Sequence, residues 1–105
     1  MSTINQKECS KKDCNFNKVA LILGDFWNIM IINQMLENGQ VRFGDFGMNI
    51  NGLSNSVLSS RLKNLLESEI VNRESIQSMP PQVIYSLTSK GLGLKNSIEA
   101  MKETF

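Results

Sequence analysis

Histidine is absent from this sequence, and only two cysteines are present, Cys9 and Cys14. The first absence removes the commonest general base near neutral pH and the commonest ligand of transition metals. Two cysteines are too few for a disulfide framework or a four-ligand zinc site, and their four-residue separation differs from the Cys-x-x-Cys redox motif. There is also no phosphate-cradling glycine loop and no cysteine–base pair. We therefore expect no enzyme, no bound metal and no cofactor.

The sequence also has no large excess of basic or acidic residues, since 11 basic and 10 acidic residues leave a net charge of +1. This balance argues against a strongly basic nucleic-acid binder but allows a local basic patch. No apolar run reaches the roughly 18–20 residues of a membrane span, and the N-terminus lacks the apolar core of a secretory signal. We expect a cytoplasmic protein with no membrane partner, in which the cysteines are free thiols. At 105 residues, the chain predicts one domain that is marginal as a monomer.

The most informative stretch is 51–67, which predicts a two-faced helix. Asn51-Gly52 is a turn signal before it, and Ser54 is a good N-cap. One side collects the apolar residues Val57, Leu58, Leu62, Leu65 and Leu66. The other side collects Ser56, Ser59, Ser60, Lys63 and Glu67. Such a short, hydroxyl-rich face suits a helix in the DNA major groove, although a Ser-rich solvent-facing helix is the alternative.

Two helices are predicted before this stretch. Phe16, Val19, Ala20 and Leu23 follow a helical spacing that stops at Gly24. Asp25 can cap the next helix, which is apolar nearly all round, ends at Asn38-Gly39 and should form the centre of the core. Residues 41–43 are too short to assign firmly, and a small edge strand is one interpretation of them. Phe43, Phe46 and Met48 then suggest a short helix, so that a helix-turn-helix is completed by the stretch 51–67.

A β-hairpin follows the two-faced helix, because β-branched and aromatic residues flank a loop that contains Pro80-Pro81. Thr88 can cap a last helix, whose apolar seam is Leu94, Ile98, Met101 and Phe105. The seam needs a partner, either the domain's own body or, as we favour, a second subunit. Trp27 is interpreted as a core or interface anchor. The predicted fold is α+β and mostly helical, a winged helix-turn-helix with a two-stranded β-hairpin wing. We place a flexible tail at 1–13 and the domain at 14–105.

The sequence resembles the HxlR-type winged-helix transcriptional regulators, relatives of the MarR group. The resemblance spans about residues 14–105. It rests on the following elements: Cys14 with Trp27 thirteen residues later, Arg42-Phe43-Gly44-Asp45-Phe46, Leu53-Ser54 with Leu58, Arg61-Leu62 and Leu65, Arg73, and the block 80–91 (PPQVIYSLTSKG). The last block is the most specific. The resemblance implies a dimeric, cytoplasmic DNA-binding regulator that packs through extra N- and C-terminal helices, and in some relatives a cysteine at the place of Cys14 senses electrophiles or oxidants.

The sequence departs from the family pattern at several positions. Asn15 stands in place of proline, and Asp25 and Phe26 stand in place of glycine and lysine beside Trp27. Gln82 and Ile84 replace the usual arginine and glutamate of the wing. Because residues 75–82 contain no basic side chain, we expect the wing to contact phosphate weakly.

The predicted function is a sequence-specific regulator that binds a palindromic operator in double-stranded DNA as a homodimer, with a recognition helix at about 54–67 in the major groove. The candidate DNA-binding residues are Arg42, Ser54, Asn55, Ser56, Ser59, Ser60, Arg61, Lys63, Asn64 and Arg73. Arg61 has a competing structural interpretation, in which it pairs with Asp45 or Glu67. The candidate dimer interface comprises Phe16, Trp27, Leu94, Ile98, Met101 and Phe105.

Cys14 is the candidate redox sensor, because Lys11, Lys12 and Lys18 could stabilise a thiolate, which Asp13 would oppose. The alternative is an inert thiol packed under the first helix. Cys9 could be a resolving thiol or have no role. The rival function for the whole chain is a winged helix used for protein–protein contact, which the low net charge and the non-basic wing favour.

Overall fold

A computed structural model describes the backbone of residues 11–105 and the side chains from residue 15 onward. The elements run in this order: α1 (Lys11–Leu23), α2 (Phe26–Asn38), β1 (Gln40–Arg42), α3 (Phe43–Asn49), α4 (Asn55–Glu67), β2 (Val71–Ile76), β3 (Gln82–Leu87), α5 (Ser89–Leu92) and α6 (Lys95–Thr104). Helices α3 and α4 with the hairpin β2–β3 form the winged helix-turn-helix that the sequence predicts. The predicted tail lies mostly outside the described residues, as does Cys9. Because α1 begins at Lys11, the predicted boundary after residue 13 falls inside this helix.

The wing belongs to a three-stranded antiparallel sheet with the order β1-β3-β2. In β1, Val41 pairs with Tyr85 of β3, and its side chain is buried. On the other edge, Val71 of β2 pairs with Leu87. The short segment at 41–43 is therefore a strand over its first part, since its central valine is covered by the core.

Helix α2 is the centre of the core, as its nearly continuous apolar surface predicts. The largest fully buried side chains are Phe46, Ile31, Ile32, Met35, Ile50, Leu58, Leu62 and Leu65. They come from α2, α3, the turn after α3, and α4, so the helix-turn-helix packs directly on α2. Asp25 caps α2, as predicted, by accepting a hydrogen bond from the Asn28 backbone N–H at 3.1 Å.

The C-terminal helix differs from the prediction, because it is divided into α5 and α6. Thr88 caps only α5, and the chain bends at Gly93 and Leu94 before α6 begins. The bend turns Ile98 into the core of the protomer, where its side chain is 3% exposed. Ile98 is therefore not available to a partner's surface, which corrects its assignment to the dimer interface. Leu94 is half-buried against the same core.

Candidate nucleic-acid interface

Helix α4 has one buried face and one exposed face. Ser54 caps its N-terminus, since the hydroxyl oxygen accepts a hydrogen bond from the Val57 backbone N–H at 3.1 Å. Leu58, Leu62 and Leu65 are buried. The exposed candidates on this helix are Asn55, Ser56, Ser59, Ser60, Lys63 and Asn64. The amphipathic pattern of the sequence therefore assigned the two faces correctly. The exposed face carries hydroxyl and amide groups and one ammonium group.

The start of α4 is fixed by a tight turn after α3. Gly52 adopts φ +82°, a left-handed conformation that other residues disfavour. The Trp27 ring of α2 lies 3.7 Å from the point where a Gly52 Cβ would be. Buried Ile50 and Leu53 hold the turn from within. Half-buried Trp27, proposed from the sequence for the dimer interface, thus packs against the core and supports the entry into α4.

Arg61 is held by Asp25, and not by Asp45 or Glu67 as the sequence suggested. Its Nε donates to both carboxylate oxygens of Asp25 at 3.1 Å, and Nη2 lies 3.1 Å from Oδ2. Each side chain is 28% exposed. The hydrogen bond from Arg61, together with the Asn28 N–H, lowers the pKa of Asp25. The partner is 36 residues away in sequence, so no local spacing could have identified it.

The two other arginines of the candidate interface lie outside α4. Arg42 ends β1, immediately before α3, and is exposed. Arg73 lies on β2 opposite Tyr85 and is exposed as well. Beyond Arg73, the wing carries Glu74 and an uncharged tip in which Met79 is 99% exposed. The structure thus places the candidate cations on α4, before α3 and at the base of the wing, but not at its tip.

The base of the wing is fastened to the end of α4 by Thr88. Its hydroxyl donates to the Glu69 carbonyl at 2.6 Å, and its backbone N–H donates to the Ile70 carbonyl at 3.0 Å. The same hydroxyl oxygen accepts from the Gly91 N–H at 3.0 Å. Lys90 Nζ also donates to the Ser68 carbonyl at 2.9 Å. Sequence reasoning found the helix cap at Thr88 but missed this clamp, because its partners lie 18 to 22 residues away.

Several large apolar side chains of the terminal helices are exposed in the protomer. Among the candidates for the dimer interface, Phe16 is 69% exposed, Met101 43%, and Phe105 fully exposed. Leu21 of α1 and Phe26 at the start of α2 are exposed as well, and the sequence analysis did not select them. Where such exposed apolar groups form one contiguous patch, the patch is typical of a surface that contacts a partner.

Cys14 lies in the first turn of α1, and its side chain is outside the described part. One turn later, Lys18 is exposed at the edge of a cavity of about 610 Å³ between α1 and the entry to β2. Ile22, Glu69, Lys90 and Leu94 also line this cavity. Of the predicted lysine neighbours of Cys14, the structure therefore describes the side chain of Lys18 alone.

Neither a metal centre nor a single membrane-spanning helix occurs among the described residues. No three side chains capable of binding a metal come together there. No helix within 11–105 is both long and apolar enough to cross a membrane alone; Asn15–Leu23 and Phe26–Asn38 reach the length only as a pair bent by 84°.

Comparison with known proteins points to one family. The model of the HxlR-like helix-turn-helix family matches residues 22–104. The HTH-type transcriptional regulator YodB of Bacillus subtilis is 35% identical over 94 residues, which cover 90% of this chain and 80% of YodB. Its reduced form superimposes with a TM-score of 0.71 at 34% identity and covers 90% of this chain and 88% of that one. A diamide-treated form of YodB gives the same TM-score.

Two further solved structures share the fold. The redox regulator HypR in its oxidised form superimposes with a TM-score of 0.78 at 30% identity, covering 86% of this chain and 92% of HypR. A regulator of the MarR family from Enterococcus faecalis V583 has a TM-score of 0.78 at 23% identity, covering 94% of this chain and 89% of its own. The second likeness concerns the winged-helix fold alone.

Proposed function

This chain belongs to the HxlR-like helix-turn-helix family of transcriptional regulators, and we propose that it binds a palindromic operator in double-stranded DNA as a cytoplasmic homodimer. The observation that carries the proposal is the exposed face of α4. Its opposite face is buried on the core, and a cap and a tight turn fix its start. A helix presented in this way can enter the major groove with little rearrangement.

The side chains on this face match the chemistry of base edges. The hydroxyls of Ser56, Ser59 and Ser60 can donate to or accept from any base, and their small size lets the helix backbone approach closely. Lys63 can donate to guanine O6 and N7, and an asparagine can bond adenine through N6 and N7. We assign sequence recognition to this set, to which Asn55 and Asn64 add amide groups at its edges.

Phosphate contacts come from a small set of cations. We assign these contacts to Arg42 before α3 and Arg73 on β2, because both are exposed and flank the helix-turn-helix in sequence. Each phosphate contact changes the slope of log affinity against log salt by about 0.9. With few such contacts per protomer, we expect modest affinity and a shallow salt dependence.

We assign dimerisation to the exposed apolar residues of α1, the start of α2, and the C-terminal segment from α6 onward. Phe16, Met101 and Phe105 carry the proposed interface, and Leu21 and Phe26 extend it. A two-fold dimer presents two copies of α4 to successive major grooves, and this requires a palindromic site. The dimer is tested by sedimentation of wild type and Phe16→Asp, with the exposed wing-tip variant Gln77→Asp as control. A wild-type protein that sediments as a monomer at micromolar concentration would contradict it.

The operator is tested by selection from a randomised duplex library at two salt concentrations, followed by sequencing. We expect a palindrome with half-sites about one helical turn apart. The matched negative control is a variant with Ser56, Ser59 and Lys63 replaced by alanine, which keeps the buried face of α4. Absence of any enriched sequence with wild type would contradict DNA recognition and favour a winged helix that contacts proteins.

We also propose that Cys14 senses oxidants. The support is the similarity to HypR, a redox regulator, and to YodB, for which a diamide-treated form exists. Cys14 lies in α1, the helix that carries Phe16, so modification there would act directly on the proposed dimer interface. A thiolate is the reactive form, and the positive charge of Lys18 one turn away favours it.

Diamide treatment tests this proposal. Diamide joins two thiols in a disulfide and is itself reduced. We expect operator affinity to change in wild type and to stay constant in Cys14→Ser, while Cys9→Ser distinguishes Cys9 from Cys14 of the partner subunit as the second thiol. Equal affinity before and after treatment in wild type would argue decisively against a sensor.

A further inference from the structure

Asp25 lies at the corner between α1 and α2. Its side chain contacts α2 and α4, and the neighbouring Asn28 side chain contacts α1. Its carboxylate accepts from the Asn28 N–H of α2 and from Arg61 of α4, each at 3.1 Å. The Asn28 side chain, 5% exposed in all, donates from Nδ2 to the Ile22 carbonyl of α1 at 3.1 Å. The end of α1, the start of α2 and the middle of α4 are therefore joined by a chain of short hydrogen bonds.

Arg61 borders the exposed face of α4. It follows Ser60 directly and precedes Lys63 by two residues, while its guanidinium turns back to the corner. An unpaired guanidinium at the edge of a DNA-contacting helix is a strong ligand for phosphate, and phosphate contacts attach a protein to any sequence. Paired with Asp25, the same guanidinium ties α4 to the start of α2. The ion pair as a whole is neutral, so it attracts phosphate less than a free guanidinium does.

We propose that Asp25 is a positioning residue for DNA recognition: by holding Arg61 it sets the angle of α4 on α2 and keeps this arginine away from the DNA backbone. The inference rests on the proposed function, because it assigns specificity to the face of α4. It also gives the corner between α1 and α2 a direct connection to that face, 36 residues further along the chain.

The test compares Asp25→Asn, Arg61→Gln and the double variant with wild type. Asparagine remains a good N-cap, so Asp25→Asn removes the charge without removing the cap of α2. The control is Glu37→Gln, which removes one negative charge from an exposed position in the last turn of α2. Fluorescence anisotropy measures affinity for the selected operator and for a scrambled duplex over a salt series, and circular dichroism confirms the fold of each variant.

For Asp25→Asn we expect the ratio of operator to scrambled affinity to fall about tenfold, the effect of one misaligned base contact. Its salt slope should steepen by about 1.8, because each of the two protomers of the proposed dimer frees one Arg61 and each new phosphate contact contributes about 0.9. Arg61→Gln should keep the wild-type slope, and the double variant should return to it. Loss of folded protein would lower both affinities equally and leave the ratio and slopes unchanged, so these readouts separate positioning from stability.

Two results would overturn the inference while wild type still prefers its operator. One is an Asp25→Asn ratio no further from wild type than that of Glu37→Gln. The other is an Arg61→Gln slope shallower than wild type by about 1.8 for the dimer, which would show that Arg61 already contacts phosphate. A wild-type protein with no preference for any duplex would instead refute the proposed function itself.

Discussion

Replacing Gly91 with alanine should destabilise the protein, whereas the same replacement at Gly47 should not. A Cβ at Gly91 would lie 2.3 Å from the Ile70 carbonyl oxygen and 3.0 Å from Leu87 Cδ2. The Ile70 carbonyl oxygen is a backbone atom, and the Thr88 N–H that donates to it holds it in place at the start of β2. At Gly47, in the exposed part of α3, nothing lies within 4 Å of the added atom.

The two substitutions should therefore have opposite signs. Forcing a methyl group into a packed site costs about 1–3 kcal/mol, and here strand β2 must move to admit it. In an exposed helix interior, alanine is more favourable than glycine by about 0.5–1 kcal/mol. The expected difference in unfolding free energy between the two variants is about 1.5–4 kcal/mol by adding these ranges. In melting temperature, each kcal/mol corresponds to about 4–8 °C for a domain of this size.

Urea unfolding followed by circular dichroism measures this difference, at one fixed protein concentration because association would add to stability. Gly44→Ala, also free of contacts within 4 Å, provides a second exposed control. A Gly91→Ala protein as stable as wild type would refute the clamp as described. Loss of stability in both exposed controls would show that α3 itself, and not the close approach at Gly91, is the sensitive element.

Three further predictions concern single side chains. Lys63→Gln should make the salt slope of operator binding shallower by about 1.8 in anisotropy titrations, about 0.9 for each protomer, if its ammonium contacts phosphate as well as bases. An unchanged slope would restrict Lys63 to base contacts, and Lys102→Gln on α6 is the control. Thr88→Val should lower the free energy of unfolding by about 0.5–2 kcal/mol and Thr88→Ser should retain most of it, so equal losses in both would argue against the hydroxyl clamp. Because the pKa of Asp25 is lowered by Arg61, the pair stabilises the fold above the unfolded pKa of about 3.9 and loses its effect as pH falls through the folded pKa. Urea unfolding of wild type and Asp25→Asn should therefore converge in acid, and a gap independent of pH would contradict this.

Local patterns were sufficient to predict most of the elements. The spacing of Leu58, Leu62 and Leu65 fixed the buried face of α4, and Ser54 and Asp25 were identified as helix caps from residue type and position alone. These features depend on neighbours within four residues, the range over which helical periodicity and capping act.

The features that the sequence did not predict depend on distant partners. The structural interpretation of Arg61 paired it with Asp45 or Glu67, but its partner is Asp25 at the start of α2. Ile98 belongs by spacing to an apolar seam that we assigned to contact with a second subunit, yet the bend after α5 turns it into the protomer's own core. In both cases the packing of separate helices decides where a side chain points. The spacing of apolar residues within one helix does not contain this information.

The central claim is that the exposed face of α4 contacts DNA. Its most direct test is a titration of isotope-labelled protein with the selected duplex, followed by backbone amide shifts in NMR spectra. We predict the largest changes at Ser56, Ser59, Ser60 and Lys63, with smaller ones near Arg42 and Arg73. Changes concentrated at the uncharged wing tip or on α6, with α4 unaffected, would contradict the account.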